Sequence, residues 1–233
     1  MFGGTFDGNG FVIKGLTITK TLHPDRAEDF LIGTDMVGLF GIIETRATIK
    51  NLGIVEARVI GKDFVGVLAG LNNGKIDSCY TTGFVKGYRY VGGLAGRNEK
   101  GSIANCYSAA VVNGIFYLGG LVGDNIEACV TNSYSVGKVV GKYRAETGNS
   151  YTGNVGALSG RNFQGTIKTC FWDTQSSGLL KSQGGKSLPT AKMKDIKTYL
   201  NAGWDFVGEK KNGKRDIWTM EQGDYPRLSW QTK

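Results

Sequence analysis

The sequence predicts an all-β fold: a right-handed parallel β-solenoid, or β-helix, of about six three-stranded coils with a helix-containing C-terminal cap. Three observations lead there. A Gly-Leu phrase recurs five times, as Met-Val-Gly-Leu-Phe-Gly ending at Gly41, Val-Gly-Val-Leu-Ala-Gly at Gly70, Val-Gly-Gly-Leu-Ala-Gly at Gly96, Leu-Gly-Gly-Leu-Val-Gly at Gly123 and Val-Gly-Ala-Leu-Ser-Gly at Gly160. The closing glycines are 29, 26, 27 and 37 residues apart, a period that marks repeats which bury apolar surface only by stacking on their neighbours. Glycine is also too frequent in the repeated part, at 37 of 233 residues overall, for helices to persist there.

Each copy contains three short β-rich runs. One is the Gly-Leu phrase. A second keeps step with it: Ile13-Lys14-Gly15-Leu16, Ile49-Lys50-Asn51-Leu52, Ile76-Asp77-Ser78-Cys79, Ile103-Ala104-Asn105-Cys106, Val130-Thr131-Asn132-Ser133 and Ile167-Lys168-Thr169-Cys170, whose fourth residues are 36, 27, 27, 27 and 37 apart. A third apolar run follows in most copies, for example Ala57 to Ile60, Phe84-Val85 and Val111-Val112, and ends at Gly61, Gly87 and Gly114. Punctuated by Gly and Asn, these runs read as strands. Coils of this kind pair by parallel, in-register ladders, which set equivalent residues about 4.8 Å apart along the stack, and parallel crossovers are almost always right-handed.

The two long intervals place extra segments at Thr21 to Asp35 and at Lys142 to Gly153, both projecting from one corner about 19 Å apart along the stack. Periodicity ends after Gly178, so residues 1–178 are read as the array and 179–233 as a capping segment. Within that segment Ser187 to Leu200 reads as a short helix with Pro189 in its first turn and Met193, Ile196 and Leu200 on one stripe. Trp204, Phe206, Trp218, Tyr225, Leu228 and Trp230 then supply apolar surface to cover the open last coil, whose strand edges would otherwise template fibre growth.

The formal net charge is +8 and the pI about 9.3, which permits binding to anionic polymers. Eleven of the 28 Lys and Arg lie after residue 178 among six acids, and no nucleic-acid motif accompanies them; a solvated basic face is expected, with no nucleic-acid partner. No run is long enough to span a membrane. The chain opens inside coil-like sequence, Phe2 to Gly10, as a piece of a longer chain would.

Cys79, Cys106 and Cys170 share one repeat position with Leu16, Leu52 and Ser133, the pattern of an inward column of stacked thiols rather than of a disulfide or a metal site. No catalytic residues, metal or cofactor are expected. Paired carboxylates would recur at equivalent positions on adjacent coils, yet Asp77 aligns with Ala104 and Thr131, while Glu99 and Asp124 sit at corners. The single His23 lies in an insertion beside Pro24, and Asp7-Gly8-Asn9-Gly10 lacks the later ligands of a calcium loop.

Aromatic residues give two candidate ligand surfaces. Tyr80, Tyr107, Tyr134 and Phe171 follow the cysteine position on consecutive coils, so strand alternation sets them opposite the inward column. They either stack on sugar rings or form a structural aromatic ladder. The corner between the two insertions carries Tyr88, Arg89, Tyr90 and Tyr117, with Tyr143 in the second insertion. There, rings offer apolar faces to sugars and Arg offers charge-assisted hydrogen bonds. Tyr90 and Tyr117 share strand parity with Leu94 and Leu121, so an inward orientation is equally open.

The Gly-Leu-Ala-Gly and Gly-Leu-Val-Gly phrases, with Ile103-Ala104-Asn105-Cys106-Tyr107-Ser108, resemble the GLUG repeats of bacterial surface proteins, including filamentous-haemagglutinin-like adhesins and the non-catalytic parts of large secreted peptidases. The resemblance covers about residues 2–178, although the first copy lacks a Gly-Leu-x-Gly phrase. Phe171-Trp172-Asp173-Thr174 and Gly203-Trp204-Asp205-Phe206 with Tyr225-Pro226 are similar to the endings of such arrays. The resemblance implies an extracellular or cell-surface bacterial scaffold or adhesin with no catalytic residues, whose partners are glycans or a host or matrix surface. A glycan-binding module is the alternative, and a polysaccharide lyase or hydrolase ranks below it for want of aligned acids.

Overall fold

A computed structural model describes residues 1–20, 35–141 and 154–232. The chain is a parallel β-solenoid whose coils carry four short strands, not three, stacked into four ladders. Sheet I contains Thr5–Asp7, Thr48–Lys50, Lys75–Asp77, Ser102–Ala104, Cys129–Thr131 and Thr166–Lys168. Sheet II follows along each coil and includes Val12–Lys14, Gly53–Ile60, Tyr80–Lys86, Tyr107–Gly114, Tyr134–Ser135, Phe171–Asp173 and Lys186–Leu188. Sheet III contains Asp63–Gly66, Arg89–Gly92, Phe116–Gly119 and Val155–Gly156. Sheet IV contains Phe40–Ile43, Ala69–Asn72, Ala95–Glu99, Val122–Ile126 and Ser159–Phe163.

The extra strand arises because the Gly-Leu phrase is a corner. In Val91-Gly92-Gly93-Leu94-Ala95-Gly96, sheet III ends at Gly92 and sheet IV begins at Ala95. The turn is so tight that a Cβ on Gly92 would lie 2.0 Å from the Ala95 carbonyl oxygen, and one on Gly119 would lie 1.9 Å from that of Val122. Glycine is required there by close backbone approach. The leucine of the phrase points inward, and Leu68, Leu94, Leu121 and Leu158 are buried in one column.

The corner between sheets I and II is turned by a residue in the left-handed region: Asn51, Ser78, Asn105, Asn132 and Thr169 all have φ between 45° and 55°. Asn tolerates that region better than most side chains, which explains the Ile-x-Asn-Cys phrase. The next residue then points inward, and Leu52, Cys79, Cys106, Ser133 and Cys170 form one buried column, as expected. The thiols are free. The Cys79 N–H donates to Cys106 Sγ at 3.4 Å, and the Cys106 N–H to Ser133 Oγ at 3.0 Å.

A polar ladder runs through the same core. Asn72, Asn98, Asn125 and Asn162 are in register, and each Nδ2 donates to the next Oδ1 at 2.7, 2.8 and 2.7 Å. Backbone carbonyls at this corner accept from the remaining side-chain N–H groups, as when Asn125 Nδ2 donates to the Ala128 carbonyl at 3.1 Å.

The C-terminal segment does not sit as expected. Leu179–Leu188 forms a partial seventh turn: the Ala157 N–H donates to the Lys181 carbonyl at 3.0 Å, and Lys186–Leu188 pairs in parallel with Phe171–Asp173. The remainder turns back along the outer face of sheet II instead of covering the coil end. Met193, Tyr199, Trp204, Phe206, Trp218 and Leu228 pack there on Tyr80, Tyr107, Tyr134 and Phe171. The short turn covers part of the coil end, and the ring column gives the rest of the segment its apolar partner. The expected helix is two, Thr190–Met193 and Ile196–Leu200, interrupted where Asp195 caps the second by accepting from the Lys197 N–H.

Gly119→Ala is expected to destabilise the fold by about 1–3 kcal/mol, the usual cost of forcing a methyl into a packed site. Urea unfolding followed by circular dichroism measures it, and an unchanged midpoint would show that the corner is not closed as described. Asn98→Ala should cost about 1–3 kcal/mol, because the Asn72 Nδ2 and Asn125 Oδ1 groups on either side lose a buried partner.

Candidate functional site

Sheet III places the candidate corner on the solenoid surface. Asp63, Arg89 and Phe116 occupy equivalent rungs, and the residue after each, Phe64, Tyr90 and Tyr117, is left-handed, with φ of 47°, 54° and 54°. That twist turns the rings away from the core, so the outward orientation holds for Tyr90 and Tyr117. The rings stack with centroids 4.7 and 4.8 Å apart. Tyr88 lies beside them with 43% of its surface exposed, edge-on to Phe116 at 5.5 Å.

Charge is threaded between the rings. Arg89 donates from Nε and Nη2 to the two oxygens of buried Asp63, at 3.0 Å each, and its guanidinium lies 5.9 and 5.7 Å from the Tyr88 and Tyr90 rings. The bonds to Asp63 push the Arg89 pKa up further. Arg97 lies 4.5 Å from the Phe64 and Tyr90 ring centres, and Arg161 lies 4.7 Å from that of Tyr117. Both Arg side chains bind the buried carboxylate of Asp124, Arg97 through Nε at 3.0 Å and Arg161 through Nε and Nη2 at 2.8 Å.

Arg97, Asp124 and Arg161 were not among the candidates drawn from the sequence. Their signal was nonetheless present, since each directly follows a closing glycine of the Gly-Leu phrase. The corner can therefore present an aromatic face and an edge of guanidinium to a ligand at Tyr88 and Arg89. Deeper in, the charges satisfy one another. The insertions expected to flank it, with His23 and Tyr143, lie outside the described residues apart from Asp35, which pairs with Lys20.

The second candidate surface is corrected by the structure. Tyr80, Tyr107 and Tyr134 do form a stacked column, with centroids 5.0 and 4.9 Å apart. The C-terminal segment buries it, leaving 7%, 8% and 1% exposure, so these rings cannot meet a ligand while the segment is in place. The attachment is polar as well as apolar. The Tyr225 hydroxyl donates to Asp173 Oδ2 at 2.6 Å, Gln231 Nε2 to the Tyr107 hydroxyl at 2.9 Å, and Trp204 Nε1 to the Thr169 carbonyl at 3.0 Å. Arg215 reaches Asp77 at 3.5 Å on the sheet I side.

Burial, then the bond to Asp173, pushes the Tyr225 pKa up to about 12. Burial alone would raise the Asp173 carboxyl, but hydrogen bonds from Tyr225, Thr190 and the Ser176 and Gln175 N–H groups hold it below its ordinary value. Burial likewise raises the pKa of Tyr134 and Tyr199. The core thiols follow the same rule: burial drives Cys106 up strongly and Cys170 to about 12, which keeps them protonated and poorly nucleophilic.

Residues 87–113 match the GLUG motif, and the remaining copies repeat its geometry on adjacent coils. Halomucin of Haloquadratum walsbyi is 38% identical over 98 residues, which is 42% of this chain and 1% of the halomucin. A provisionally named Gly-rich membrane protein of Evansella cellulosilytica is 33% identical over 86 residues, 37% of this chain and 9% of that protein. The chain thus spans a small fraction of the length of the relatives it matches. The crystal structure of a provisionally named immunoglobulin A1 protease from Bacteroides ovatus superposes with a TM-score of 0.60 over 97% of this chain and 77% of the other, at 18% identity. That likeness shows a shared fold.

Detachment of the C-terminal segment should track tyrosine ionisation. A free tyrosine ionises near pH 10, so the stabilisation from Tyr225 is fully present below that pH and is lost as pH rises through about 12. Asp173 has the opposite sense: its contribution is present above about pH 4 and is lost as pH falls below that. Tryptophan fluorescence between pH 8 and 12 reads the alkaline limb, and Tyr225→Phe should flatten it. A complete transition below pH 9 would show that the tyrosines do not hold the segment.

Proposed function

We propose that the chain is a non-catalytic scaffold or adhesive module of a bacterial cell-surface or extracellular protein. The observation that carries this reading is that the side chains recurring from coil to coil bind their own equivalents. The Asn ladder, the two ring columns, the thiol column and the Arg97–Asp124–Arg161 strip all run along the stack. A repeated polar residue spent on the next coil builds a stiff rod and leaves its own surface for display. Relatives named as a halomucin and a Gly-rich membrane protein support a surface location. No helix among the described residues is long and apolar enough to cross a membrane.

The second reading, glycan binding, is favoured by one specific feature. Tyr88 exposes a ring directly beside the Arg89 guanidinium, a pairing suited to a sugar face and its hydroxyl or carboxylate groups. Tyr90 and Tyr117 would support that ring and guanidinium from below. Partners would be glycans or a host or matrix surface.

Two measurements test these readings. Incubation with a panel of polysaccharides and with immunoglobulin A1 should yield no cleavage products, and a product from either would overturn the non-catalytic reading. On a glycan array, a Tyr88→Ala/Arg89→Ala double variant should lose binding by about thirtyfold or more, the loss of roughly one ring contact and one charged hydrogen bond. Equal binding by a variant with unchanged melting would remove the corner from consideration.

A further inference from the structure

The seventh turn of the solenoid is incomplete, and it leaves one sheet open. Leu179 to Gln183 passes along sheets III and IV, with the Gln183 N–H donating to the Ser159 carbonyl at 3.0 Å, and Lys186–Leu188 completes sheet II. Between them the chain omits sheet I. Gly184 and Gly185, at φ +115° and +79°, cut across the core, so that a Cβ on Gly184 would lie 2.9 Å from Ile167 Cδ1. Thr166–Lys168 is therefore the last strand of sheet I among the described residues.

Its hydrogen-bonding pattern shows what the open edge offers. The Thr166 N–H donates to the Ala128 carbonyl at 2.8 Å, and the Lys168 carbonyl accepts from the Asn132 N–H at 3.3 Å, both toward the fifth coil. Alternation along a parallel strand then aims the Ile167 N–H and C=O outward. They face a cleft of ≈ 770 Å³ between the last coil and the two tail helices. Lys186, Lys192 and Lys197 line it, against the single acid Asp195. Asp195 pairs with Lys192 at 3.6 Å, while Lys186 and Lys197 have no ion-pair partner among the described residues.

We propose that this edge takes up an extended acidic polypeptide segment as a further parallel strand of sheet I. An exposed strand edge is satisfied by another backbone, which supplies affinity, while side-chain surroundings supply selectivity. The bound residue level with Ile167 faces the Gly184 crossing and must be small. Its neighbours point outward, as Thr166 and Lys168 do, and carry carboxylates toward Lys186 and Lys197. An anionic polysaccharide could use the same lysines but not the Ile167 N–H and C=O in ladder geometry. This inference does not depend on the scaffold reading.

The test is calorimetric titration of the full chain with a short acetylated peptide of alternating Glu and Ser, at low salt. Saturable binding is expected, with the Ile167 amide among the most shifted NMR signals. N-methylation of the peptide residue that bonds to Ile167 should weaken binding about fivefold, the worth of one backbone hydrogen bond. Lys186→Glu/Lys197→Glu should weaken it about tenfold or more by like-charge repulsion. Ile167→Pro blocks the outward N–H while leaving the bonds to the fifth coil, and should abolish binding. The charge-reversal variant keeps the proposal testable if the proline variant fails to fold. Absence of binding would overturn it and leave the lysines as protection of a bare edge. Equally tight binding of polygalacturonate, or indifference to N-methylation, would also overturn it, showing attraction by charge alone.

Discussion

Everything in this molecule depends on equivalent residues of successive coils lying one strand spacing apart. At about 4.8 Å, a side chain meets its own counterpart more closely than almost anything else, so each position must tolerate itself. Leucines and isoleucines do so by packing, as in the buried Ile49, Ile76, Ile103 and Val130 column. Asparagine does so because its amide both donates and accepts, and a stack of them satisfies its own members. Rings do so by stacking. The glycines of the Gly-Leu corner follow from the same constraint, because the corner must close identically in each coil without spreading the stack.

Charge obeys this rule too, and it explains why the acids in the sequence never align. Two like charges at about 5 Å repel by about 3 kcal/mol at an effective dielectric constant near 20, so a column of carboxylates would be costly. The chain alternates sign instead. Asp7, Lys50 and Asp77 are consecutive rungs, as are Asp63 and Arg89, and Arg97, Asp124 and Arg161. What reads in sequence as scattered acids is an ordered pattern of ion pairs.

The fold was legible because a 27-residue period is strong evidence, and the inward cysteine column followed from register alone. The division of the coil was less so. A run such as Val-Gly-Gly-Leu-Ala-Gly looks like one strand until backbone approach distances show that it is a bend. The Asn ladder recurs two residues after each closing glycine, at Asn72, Asn98, Asn125 and Asn162, and was readable there, whereas the Arg97–Asp124–Arg161 strip changes sign from coil to coil and so does not read as a repeat. At the candidate corner, Tyr88 lies beside Arg89, while the covering of Tyr80, Tyr107 and Tyr134 was not foreseen. Alternation identified the face of those rings, yet nothing local states which of two apolar surfaces a distant set of tryptophans will cover.

The position of the C-terminal segment has a mechanical consequence. It contacts the last coil through Trp204 and Thr169, the fourth through Gln231 and Tyr107, and the third and first through Trp230, which packs against Tyr80 and Gly10. Each coil otherwise touches only its neighbours, so a stack alone can open at any single interface. A segment fastened at both ends couples those interfaces, since separating any two coils must also strip it from the ring column. The tyrosine column is thus the surface on which a row of nearest-neighbour contacts becomes one cooperative body.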